Sequence, residues 1–360
     1  MTDDLRFMRR ALAQAWQGWG RTTPNPLVGA CVVTAEGVVV GQGAHERAGE
    51  PHAEVHALDE AGELARGATL YCTLEPCAHV GRTGPCAQRI IDAGITRVVA
   101  AMEDPFPLVH GRGFAILRAH GVDVEVGLEH DAAARLNQPF LTAVRQQRPF
   151  VILKSAVSAD GYVAAGPGER TAITSAPALR HAQFTRAWVD AIGVGSETVL
   201  VDDPLLTARH VYRERPLARV VFDRRLRTPP DARLLTTMDT GPVLIVTEPD
   251  RADGPAARAL AAAGATVLGQ QEPGIAGALA MLPSRGIQSL LIEGGAVLHT
   301  ACWDAALVDY VQLYQAPQRL GANGVAMPRL ASLLADDLID RRVTQLGPDQ
   351  LTEGYVHRPR

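Results

Sequence analysis

One histidine and two cysteines in the first quarter of the chain have the residue types of a catalytic zinc site. His52 lies in the stretch Pro51-His52-Ala53-Glu54, and two thiols follow at Cys77 and Cys86. One imidazole and two thiolates leave the fourth position of a tetrahedral zinc ion open. A zinc ion held in this way lowers the pKa of its water to about 7. Glu54 stands two residues after the histidine, where its carboxylate can take the proton of that water and pass it to a leaving amine.

The spacing of the two thiols is the most informative detail of this pattern. The signature H-x-E followed by P-C-x-x-C is typical of zinc-dependent nucleobase deaminases. Here eight residues separate Cys77 from Cys86, and they include His79 and Arg82. The pattern predicts hydrolytic removal of an exocyclic amine, with a longer loop beside the metal than the common form has.

Two alternative ligand sets remain open from the residues alone. Cys72 or His79 could supply a fourth protein ligand and close the site, although closed sites usually use close pairs of cysteines. His56 would share a helical face with His52 and is therefore a rival ligand.

The composition excludes several classes of function. The net charge is −4, the hydrophobic fraction is 47% and the charged fraction is 21%, as in ordinary globular proteins. Bulk charge therefore gives no reason to expect a nucleic acid or a membrane as partner. The five cysteines do not resemble a disulfide framework, and the charged N-terminus does not resemble a signal peptide. A cytoplasmic protein is expected, because zinc thiolates must stay reduced.

Strands and helices alternate through the first 147 residues. The apolar spacing predicts helices over residues 3–18, 52–65, 86–93, 114–120 and 132–145, and strands over 28–34, 38–41, 68–73, 95–102 and 122–126. Glu75-Pro76-Cys77 is expected to begin a turn or a helix, and a helix N-terminus there would lower the pKa of the Cys77 thiol through its dipole. Asn25 lies in a loop between two prolines, either as a turn residue or as a polar contact for a substrate amide. The alternation predicts an α/β/α sandwich.

The segment Gln146-Gln147-Arg148-Pro149 is the best candidate for a domain boundary, because it is polar and precedes a new buried strand. Domains of residues 1–147 and 148–360 follow. In the second domain, strands are expected over 150–154, 191–195, 218–222, 243–246, 266–269, 290–293 and 310–316, and helices over 254–263 and 296–305.

The second half carries weaker chemical signals. Lys154 is placed at the end of an apolar strand, as either a snorkelling surface residue or the cation of a site. Gly193-Val194-Gly195-Ser196 and Glu293-Gly294-Gly295 each follow a strand, and their glycines let the backbone approach a phosphate. Neither turn has the G-x-G-x-x-G pattern of a Rossmann fold.

These motifs together resemble the bifunctional riboflavin-biosynthesis deaminase/reductase family. The deaminase half of that family is matched by residues 23–29, 52–54, 73–86, 104–105 and 111–113. The reductase half is matched by residues 154–161, 173–174, 186–187, 195–209 and 292–295. The long loop between Cys77 and Cys86 separates this family from cytidine and tRNA-adenosine deaminases.

For the first half, the resemblance implies a cytidine-deaminase-like fold, a zinc ion on His52, Cys77 and Cys86, and Glu54 as catalytic residue. It implies a diaminopyrimidinone substrate that carries a phosphoribosylamino group. Asn25, His79 and Arg82 would contact this substrate, although His79 and Arg82 could instead stabilise the loop.

For the second half, the resemblance implies a dihydrofolate-reductase-like α/β domain that uses NADPH. The residues expected to contact NADPH are Ala156, Ala172, Thr198, Asp202, Gly295, Ala296, Val297, Leu298, His299, Thr300 and Ala301. The residues expected to hold the substrate are Lys154, Arg170, Arg186, Asp203, Leu206, Arg209 and Glu293.

Three residues depart from the family pattern in the second half. Ala172 stands where the family usually has a tryptophan against the cofactor, and Arg170 stands where a small hydroxyl residue is common. Ala159 replaces the usual leucine before Asp160-Gly161. The loss of the tryptophan puts the strength of the NADPH contact in doubt.

The leading hypothesis is a bifunctional enzyme that deaminates the pyrimidine and then reduces its ribosyl group to ribityl. A homo-oligomer is expected, and neither nucleic acid nor membrane is expected as a partner. The alternatives are a deaminase with a non-reducing second domain, a nucleic-acid deaminase and a non-catalytic zinc module.

Overall fold

The protein is described by a computed structural model over residues 2–78, 84–107, 109–327, 329 and 338–357. The chain divides into two compact units, the first running to Gln146 and the second beginning at Gln147. No helix in these ranges has both the length and the apolar character needed to cross a bilayer.

The first unit is a five-stranded mixed sheet with helices. Its strands are β1 (Gly29–Val33), β2 (Val39–Ala44), β3 (Thr69–Cys72), β4 (Arg97–Ala100) and β5 (Asp123–Val126), and its helices are α1 (Thr2–Ala15), α2 (Ala53–Ala61), α3 (Cys86–Asp92), α4 (Arg112–Ala119), α5 (His130–Leu136) and α6 (Gln138–Gln146). The strand order is β2-β1-β3-β4-β5. β1 runs antiparallel to β2 and β3, whereas β3, β4 and β5 are parallel.

Glycines let two helices lie against the first sheet on opposite faces. A Cβ atom on Gly29 would lie 2.0 Å from the carbonyl oxygen of Ala11 in α1, and one on Gly41 would lie 2.0 Å from that of Ala57 in α2. Gly41 pairs with Val32, which is an odd number of positions from Gly29, so the two glycines point to opposite faces. The expected α/β/α sandwich is therefore confirmed.

The prediction of one helix over residues 132–145 is wrong. The chain forms α5 and α6 with a break at Asn137, whose backbone leaves the helical region. The buried side chain of Asn137 accepts a hydrogen bond from the Leu27 N–H at 2.7 Å and donates one to the Leu27 carbonyl at 2.9 Å. These bonds tie the break to the loop before β1, which outweighs the continuous helical pattern.

The second unit contains eleven strands in its described residues, and nine of them form one large sheet. Its strands are β6 (Phe150–Val157), β7 (Tyr162–Ala164), β8 (Ala191–Gly195), β9 (Ala218–Phe222), β10 (Val243–Thr247), β11 (Thr266–Gly269), β12 (Ser289–Glu293), β13 (Tyr310–Gln315), β14 (Val325–Ala326), β15 (Ile339–Leu346) and β16 (Asp349–Tyr355). Its helices are α7 (Ala176–Trp188), α8 (Ser196–Asp202), α9 (Pro255–Ala262), α10 (Gly274–Ala280) and α11 (Ala296–Asp304). Short 3-10 helices lie at Trp16–Gly18 and Gly62–Ala65 in the first unit, and at Arg233–Thr240, Pro249–Arg251 and Pro283–Arg285 in the second.

The strand order of the large sheet is β11-β10-β9-β8-β12-β6-β13-β16-β15, and β7 pairs with β14 in a separate small sheet. The strands from β11 to β13 are parallel, and β16 runs antiparallel to both β13 and β15. A parallel sheet with an antiparallel C-terminal hairpin is the dihydrofolate-reductase-like arrangement expected from the resemblance.

Hydrophobic cores cover both faces of the parallel sheet. Leu290 and Ile292 of β12 enter one core, and Leu291 between them enters the other. All five residues of this strand are buried, as expected for a parallel strand with covered faces. The carboxyl ends of β8 and β12 lie side by side because the two strands pair directly.

Lys154 does not end its strand, contrary to the sequence prediction. β6 continues through Ser155, Ala156 and Val157, and Lys154 pairs with Glu293 of β12. The strand was cut short because a lysine interrupts an apolar run, whereas its alternation of buried and half-buried residues continues to Val157.

Candidate functional site

The first candidate site combines His52, Cys77 and Cys86. Their ligand atoms lie within 4.8 Å of one another, and in the described part of the chain they are the one group of three or more such residues with metal-binding geometry. The sequence prediction of this triad agrees with its placement. His56, the rival ligand, and Cys72, one of the two alternative fourth ligands, are not members of the group. The other alternative, His79, lies outside the described residues.

Local backbone structure differs from the expectation at two of the three ligands. His52 is extended and precedes α2, which begins at Ala53, so its ring is not bound to the helical face of His56. Cys77 lies in an irregular segment after β3, and it is Cys86 that begins a helix, α3. Of the turn or helix expected to begin at Glu75-Pro76-Cys77, no helix forms, because these residues lie in an irregular segment.

The separations within the triad fit a zinc ion. His52 Nδ1 lies 3.5 Å from Cys77 Sγ and 3.3 Å from Cys86 Sγ. A tetrahedral zinc ion, with Zn–S and Zn–N bonds of about 2.3 and 2.0 Å, places such atoms about 3.6 Å apart. The pKa of the Cys77 thiol is held to about 4, chiefly by a hydrogen bond from the Cys86 thiol. Cys77 therefore favours the thiolate form that zinc requires.

Glu54 lies in the first turn of α2 and is buried beside the triad. Its Oε2 atom is enclosed and has no hydrogen-bond partner among the described residues. Burial raises the pKa of this carboxyl, and the charge of His52 opposes the effect. A buried carboxylate oxygen without a protein partner is placed to bond a water or substrate atom, so the donor set and this oxygen both fit a hydrolytic zinc centre.

Asn25 is positioned by a histidine that the sequence analysis did not single out. The Asn25 amide donates through Nδ2 to His45 Nε2 at 3.0 Å, and His45 Nδ1 donates to the Pro51 carbonyl at 3.1 Å. Burial lowers the pKa of His45, so its ring stays neutral and can accept from Asn25. The His45 ring also contacts the His52 ring edge to face, with centroids 5.3 Å apart. Asn25 is thus a fixed amide beside the metal ligands rather than only a turn residue.

Glu75 is a second residue that was missed. Its buried carboxylate accepts hydrogen bonds from the backbone N–H groups of Asp104, Gly111, Gly113 and Phe114, at distances of 2.9 to 3.4 Å. These bonds hold the loop after β4 and the start of α4 against the segment that leads to Cys77. The signal in the sequence was a glutamate directly before Pro76-Cys77, but the loop it binds lies about thirty residues further on.

The second candidate site lies at the carboxyl edge of the large parallel sheet. Arg186 of α7 forms a buried two-bond ion pair with Glu293 of β12, through Nε–Oε1 at 2.7 Å and Nη2–Oε2 at 2.8 Å. Burial would raise the pKa of Glu293, but Arg186, Lys154 and Arg209 hold it at about 2. Arg186 also donates to the Thr207 carbonyl at 2.8 Å. It is thus largely occupied by protein partners, and its contact with a substrate phosphate remains a prediction.

Lys154 shares this edge with Glu293, its partner across the strands. Burial lowers the pKa of the lysine, and the charge of Glu293 opposes this effect. The sequence analysis left its role open between surface and site, and its half-buried position next to Glu293 favours the site. A signal was available in the composition, because Lys154 is the only lysine among the 35 lysine and arginine residues of the chain.

The two glycine turns of the second unit meet at neighbouring strands. Gly294 and Gly295 both have positive φ, at 77° and 87°, which favours glycine. A Cβ atom on either would lie 3.4 to 3.5 Å from Thr198 Oγ1 in α8. The arrangement brings Thr198 and the start of α11 together, as expected for residues that hold one cofactor.

The residues of the segment 295–301 do not share one environment. Val297 is exposed, Leu298 belongs to a hydrophobic core, and His299 is buried with neither ring nitrogen bonded within the described chain. Thr300 bonds back to the Ala296 carbonyl within α11 at 2.8 Å. The remaining member, Ala301, is half-buried.

Other predicted contacts of the second unit are placed as follows. Asp203 ends α8, and its carboxylate accepts the Arg233 N–H at 2.8 Å. Leu206 is buried in a core. Burial raises the pKa of Asp202, and the nearby charge of Arg170 opposes it.

Ala156, Arg209 and Ala172 are the remaining predicted contacts whose surroundings the structure gives. Ala156 is half-buried on β6, Arg209 is exposed and contributes to the charge around Glu293, and Ala172 is exposed with its carbonyl bonded by Gln318. His79 and Arg82 lie outside the described residues.

Comparisons with known proteins cover both halves of the chain. Residues 1–102 match the family described as "Cytidine and deoxycytidylate deaminase zinc-binding region", and residues 149–352 match the "RibD C-terminal domain". The sequence is 39% identical to the riboflavin biosynthesis protein RibD of Aquifex aeolicus, over 96% of each chain. It is 40% identical to the protein of the same name from Escherichia coli, over 96% of this chain and 97% of the relative.

Solved structures give the same result over the whole chain. Acinetobacter baumannii RibD is 38% identical with a TM-score of 0.87, covering 98% of this chain and 99% of that one. A Thermotoga maritima structure named as a diaminohydroxyphosphoribosylaminopyrimidine deaminase/5-amino-6-(5-phosphoribosylamino)uracil reductase is 32% identical with a TM-score of 0.82, covering 100% of this chain and 99% of that one. With a zinc-competent deaminase unit, a reductase-type unit and relatives matched from end to end, this chain belongs to the RibD family of riboflavin biosynthesis proteins.

Proposed function

We propose that this chain catalyses two consecutive steps of riboflavin biosynthesis on one small phosphorylated pyrimidine. The first step hydrolyses the amine of 2,5-diamino-6-(phosphoribosylamino)pyrimidin-4-one to give the aminouracil and ammonia. The second step transfers a hydride from NADPH to the ribosyl group and yields ribityl. The observation that carries the proposal is that one chain holds both the triad beside the buried Glu54 and, in the second unit, the buried Glu293 with the half-buried Lys154 and Arg186.

In the deamination step, each residue has a separate task. His52, Cys77 and Cys86 would hold zinc, which supplies an activated water when bound. Glu54 Oε2, which has no protein partner in the described chain, would take a proton from that water and deliver it to the ring and to the departing ammonia. Asn25, with its Nδ2 held by His45, offers its Oδ1 to an N–H of the pyrimidine.

In the reduction step, the turn at Gly294 and Gly295 and the start of α11 would receive the phosphates of NADPH. The cofactor supplies the hydride. Lys154 and Glu293 would face the substrate ring and ribosyl hydroxyls, and Arg209 would meet its phosphate as a charged donor. The departure at Ala172 leaves an exposed methyl where the family usually places a large ring, so a weaker hold on NADPH is part of the proposal.

The functional assignment of residues 1–147 to deamination and 148–360 to reduction belongs to this proposal. A homo-oligomer in the cytosol is proposed as its setting, on the family resemblance and on the reduced thiols that a zinc site requires.

Two assays on one preparation test the proposal. Purified protein with one bound zinc per chain should release ammonia from the diaminopyrimidinone, and NADPH absorbance should then fall as the aminouracil is consumed. Ammonia release without loss of NADPH absorbance, even when the aminouracil is added directly, would leave the deaminase with a non-reducing second domain. Ammonia release that persists in Glu54→Gln would overturn the hydrolytic role of Glu54.

A further inference from the structure

The environment of Lys154 contains an aromatic ring whose role is not explained by cofactor or substrate binding. Lys154 Nζ lies over the ring of Tyr314, 5.4 Å from its centroid. Tyr314 is completely buried. A cation within about 6 Å of a ring face is attracted by the negative charge of the π system, and the attraction grows when water is excluded.

The register of the sheet explains why these two residues meet. Lys154 of β6 pairs with Gln312 of β13, and Ala156 pairs with Tyr314. Side chains two positions apart on a strand share a face, so Lys154 and Tyr314 are diagonal neighbours on one face. The contact is therefore fixed by strand pairing and not by a mobile loop.

Helix α7 lies over this face and fixes it with three polar side chains. His181 Nδ1 lies 2.8 Å from the hydroxyl of Tyr314, Thr185 donates to Gln312 Oε1 at 3.1 Å, and Arg186 pairs with Glu293. Burial lowers the pKa of His181 and raises that of Tyr314, so a neutral imidazole and a neutral phenol share this hydrogen bond. This bond sets the orientation of the ring that Lys154 faces.

The charged and titratable groups around Lys154 come from four elements. Glu293 faces it from β12, Arg186 from α7, His299 from α11 and Tyr314 from β13. Burial holds the pKa of His299 at about 4, so this ring is neutral at pH 7. Both carboxylate oxygens of Glu293 accept hydrogen bonds from Arg186. The ammonium therefore has an anion that is already paired and an aromatic face.

We propose that Tyr314, oriented by His181, is a positioning residue for Lys154: its ring stabilises the ammonium form and directs it towards the substrate. The direction of the ammonium towards the substrate rests on the proposed reductase function, in which Lys154 meets the substrate. The stabilisation of the ammonium by the ring of Tyr314 concerns this chain alone and can be tested without substrate or cofactor.

The single lysine makes the test direct. Protein labelled with [ε-¹³C]lysine gives one lysine side-chain resonance, whose shift with pH reports the pKa of Lys154. In Tyr314→Leu the ring is lost, and the pKa should fall by about 0.5–1.5 units, the equivalent of a desolvated cation–π contact. Tyr314→Phe keeps the ring and is the matched control, so its pKa should stay close to the wild-type value. An equal pKa in wild type and Tyr314→Leu would overturn the proposal.

A folding control is included because Tyr314 is completely buried. Thermal unfolding identifies variants that have lost their structure. If Tyr314→Leu is unfolded, Tyr314→Met replaces it, because methionine is a flexible apolar side chain that fills irregular space without an aromatic ring. That variant should lower the pKa of Lys154 as Tyr314→Leu would, and an unchanged pKa would again overturn the proposal.

Kinetics separate this inference from the proposed function. In Tyr314→Leu, the KM for the aminouracil should rise more than kcat falls, since Lys154 would be misdirected in the free enzyme. A lysine resonance that responds as expected, in a protein whose wild type reduces nothing, would retain the Tyr314–Lys154 contact and reject the reductase function. Ammonia release should be the same in all variants.

Discussion

Two buried glutamates show how neighbours decide what a carboxyl group can do. Glu54 and Glu293 are both almost inaccessible, with 3% and 8% of their surface exposed. Burial raises the pKa of Glu54, whose Oε2 finds no partner in the described chain, whereas Arg186 and Lys154 overcome the same effect at Glu293 and hold it at about 2. Glu54 is suited to carry a proton, and Glu293 is suited to remain an anion.

At the residue scale, the ligand triad predicts that its cysteines are essential for zinc binding. Cys86→Ser should lose tightly bound zinc and lower ammonia release by at least about 100-fold, because the site keeps only two strong ligands. The measurement is zinc per chain by atomic absorption, together with ammonia release.

Cys72→Ala is the matched control for that variant. Cys72 is equally buried, but it is not a member of the triad, and its thiol pKa is raised well above the ordinary value by burial. It should keep zinc at the wild-type level. Loss of zinc from Cys72→Ala alone would instead favour a closed site with Cys72 as a ligand.

At the element scale, the deaminase site depends on loops that hydrogen bonds and backbone contacts with neighbouring segments hold in place. Cys77 lies in an irregular segment, so its position is not fixed by a helix or a strand of which it is part. Its carbonyl accepts the Ala87 N–H of α3, and Glu75 two residues earlier binds the loop after β4. A Cβ atom on Gly113 would lie 1.9 Å from the Pro76 carbonyl, so the segment that leads to Cys77 is in direct backbone contact with the first turn of α4.

Glu75→Gln should therefore weaken zinc binding, although Glu75 is not a ligand. The amide would turn N–H groups towards backbone N–H groups that now meet a carboxylate, which leaves some of them unsatisfied. We expect zinc affinity to fall about 10–100-fold, as for other residues that support metal ligands. Competition with a chromogenic chelator measures this affinity.

Glu63→Gln makes the same chemical change at an exposed glutamate of the same unit and should have no effect. Zinc affinity of Glu75→Gln equal to that of the control would show that Glu75 supports the fold without supporting the metal.

Sequence patterns predicted this architecture best where periodicity is strong. The strands at β8, β9 and β11 were predicted at their observed limits, and the metal triad was identified by residue type and spacing. The family resemblance, rather than periodicity, supplied the identity of the second domain. Predictions failed where a tertiary contact decides local structure, as at Asn137 and in the strand through Lys154.

Other features could not be read from the sequence because their partners are distant in the chain. His45 binds Asn25 from twenty residues away, Glu75 binds a loop about thirty residues away, and His181 meets Tyr314 across 133 residues. Helix α7 and the hairpin of β15 and β16 were not predicted at all. β15 is exposed over most of its length and has little of the apolar pattern that identifies a strand.

At the scale of the whole molecule, the residues proposed for the two reactions lie in different units. The triad and Glu54 lie in the unit that ends at Gln146, and Lys154, Arg186 and Glu293 lie in the unit that begins at Gln147. No residue of either set comes from the other unit. The two activities should therefore be lost separately.

Glu54→Gln should lower ammonia release by about 10²–10⁴-fold, the usual contribution of general acid–base catalysis, and should leave reduction of added aminouracil unchanged. Lys154→Met should do the reverse, because it removes the cation from the second site only. The two assays are run on both variants. A single substitution that abolished both reactions in a folded protein would contradict the separation of the two sites.

The proximity of Cys77 and Cys86 also has a consequence for oxidation. Their sulfur atoms belong to a group whose ligand atoms lie within 4.8 Å of one another. The pKa of the Cys77 thiol is lowered to about 4, whereas that of Cys86 is raised, first by its hydrogen bond with Cys77, and burial raises the pKa of the other three thiols, which lie elsewhere. Thiolates react with oxidants far more readily than thiols do. When the metal is absent, these two sulfurs are the ones placed to join as a disulfide. A bound metal would therefore also protect Cys77 and Cys86 from oxidation to a disulfide.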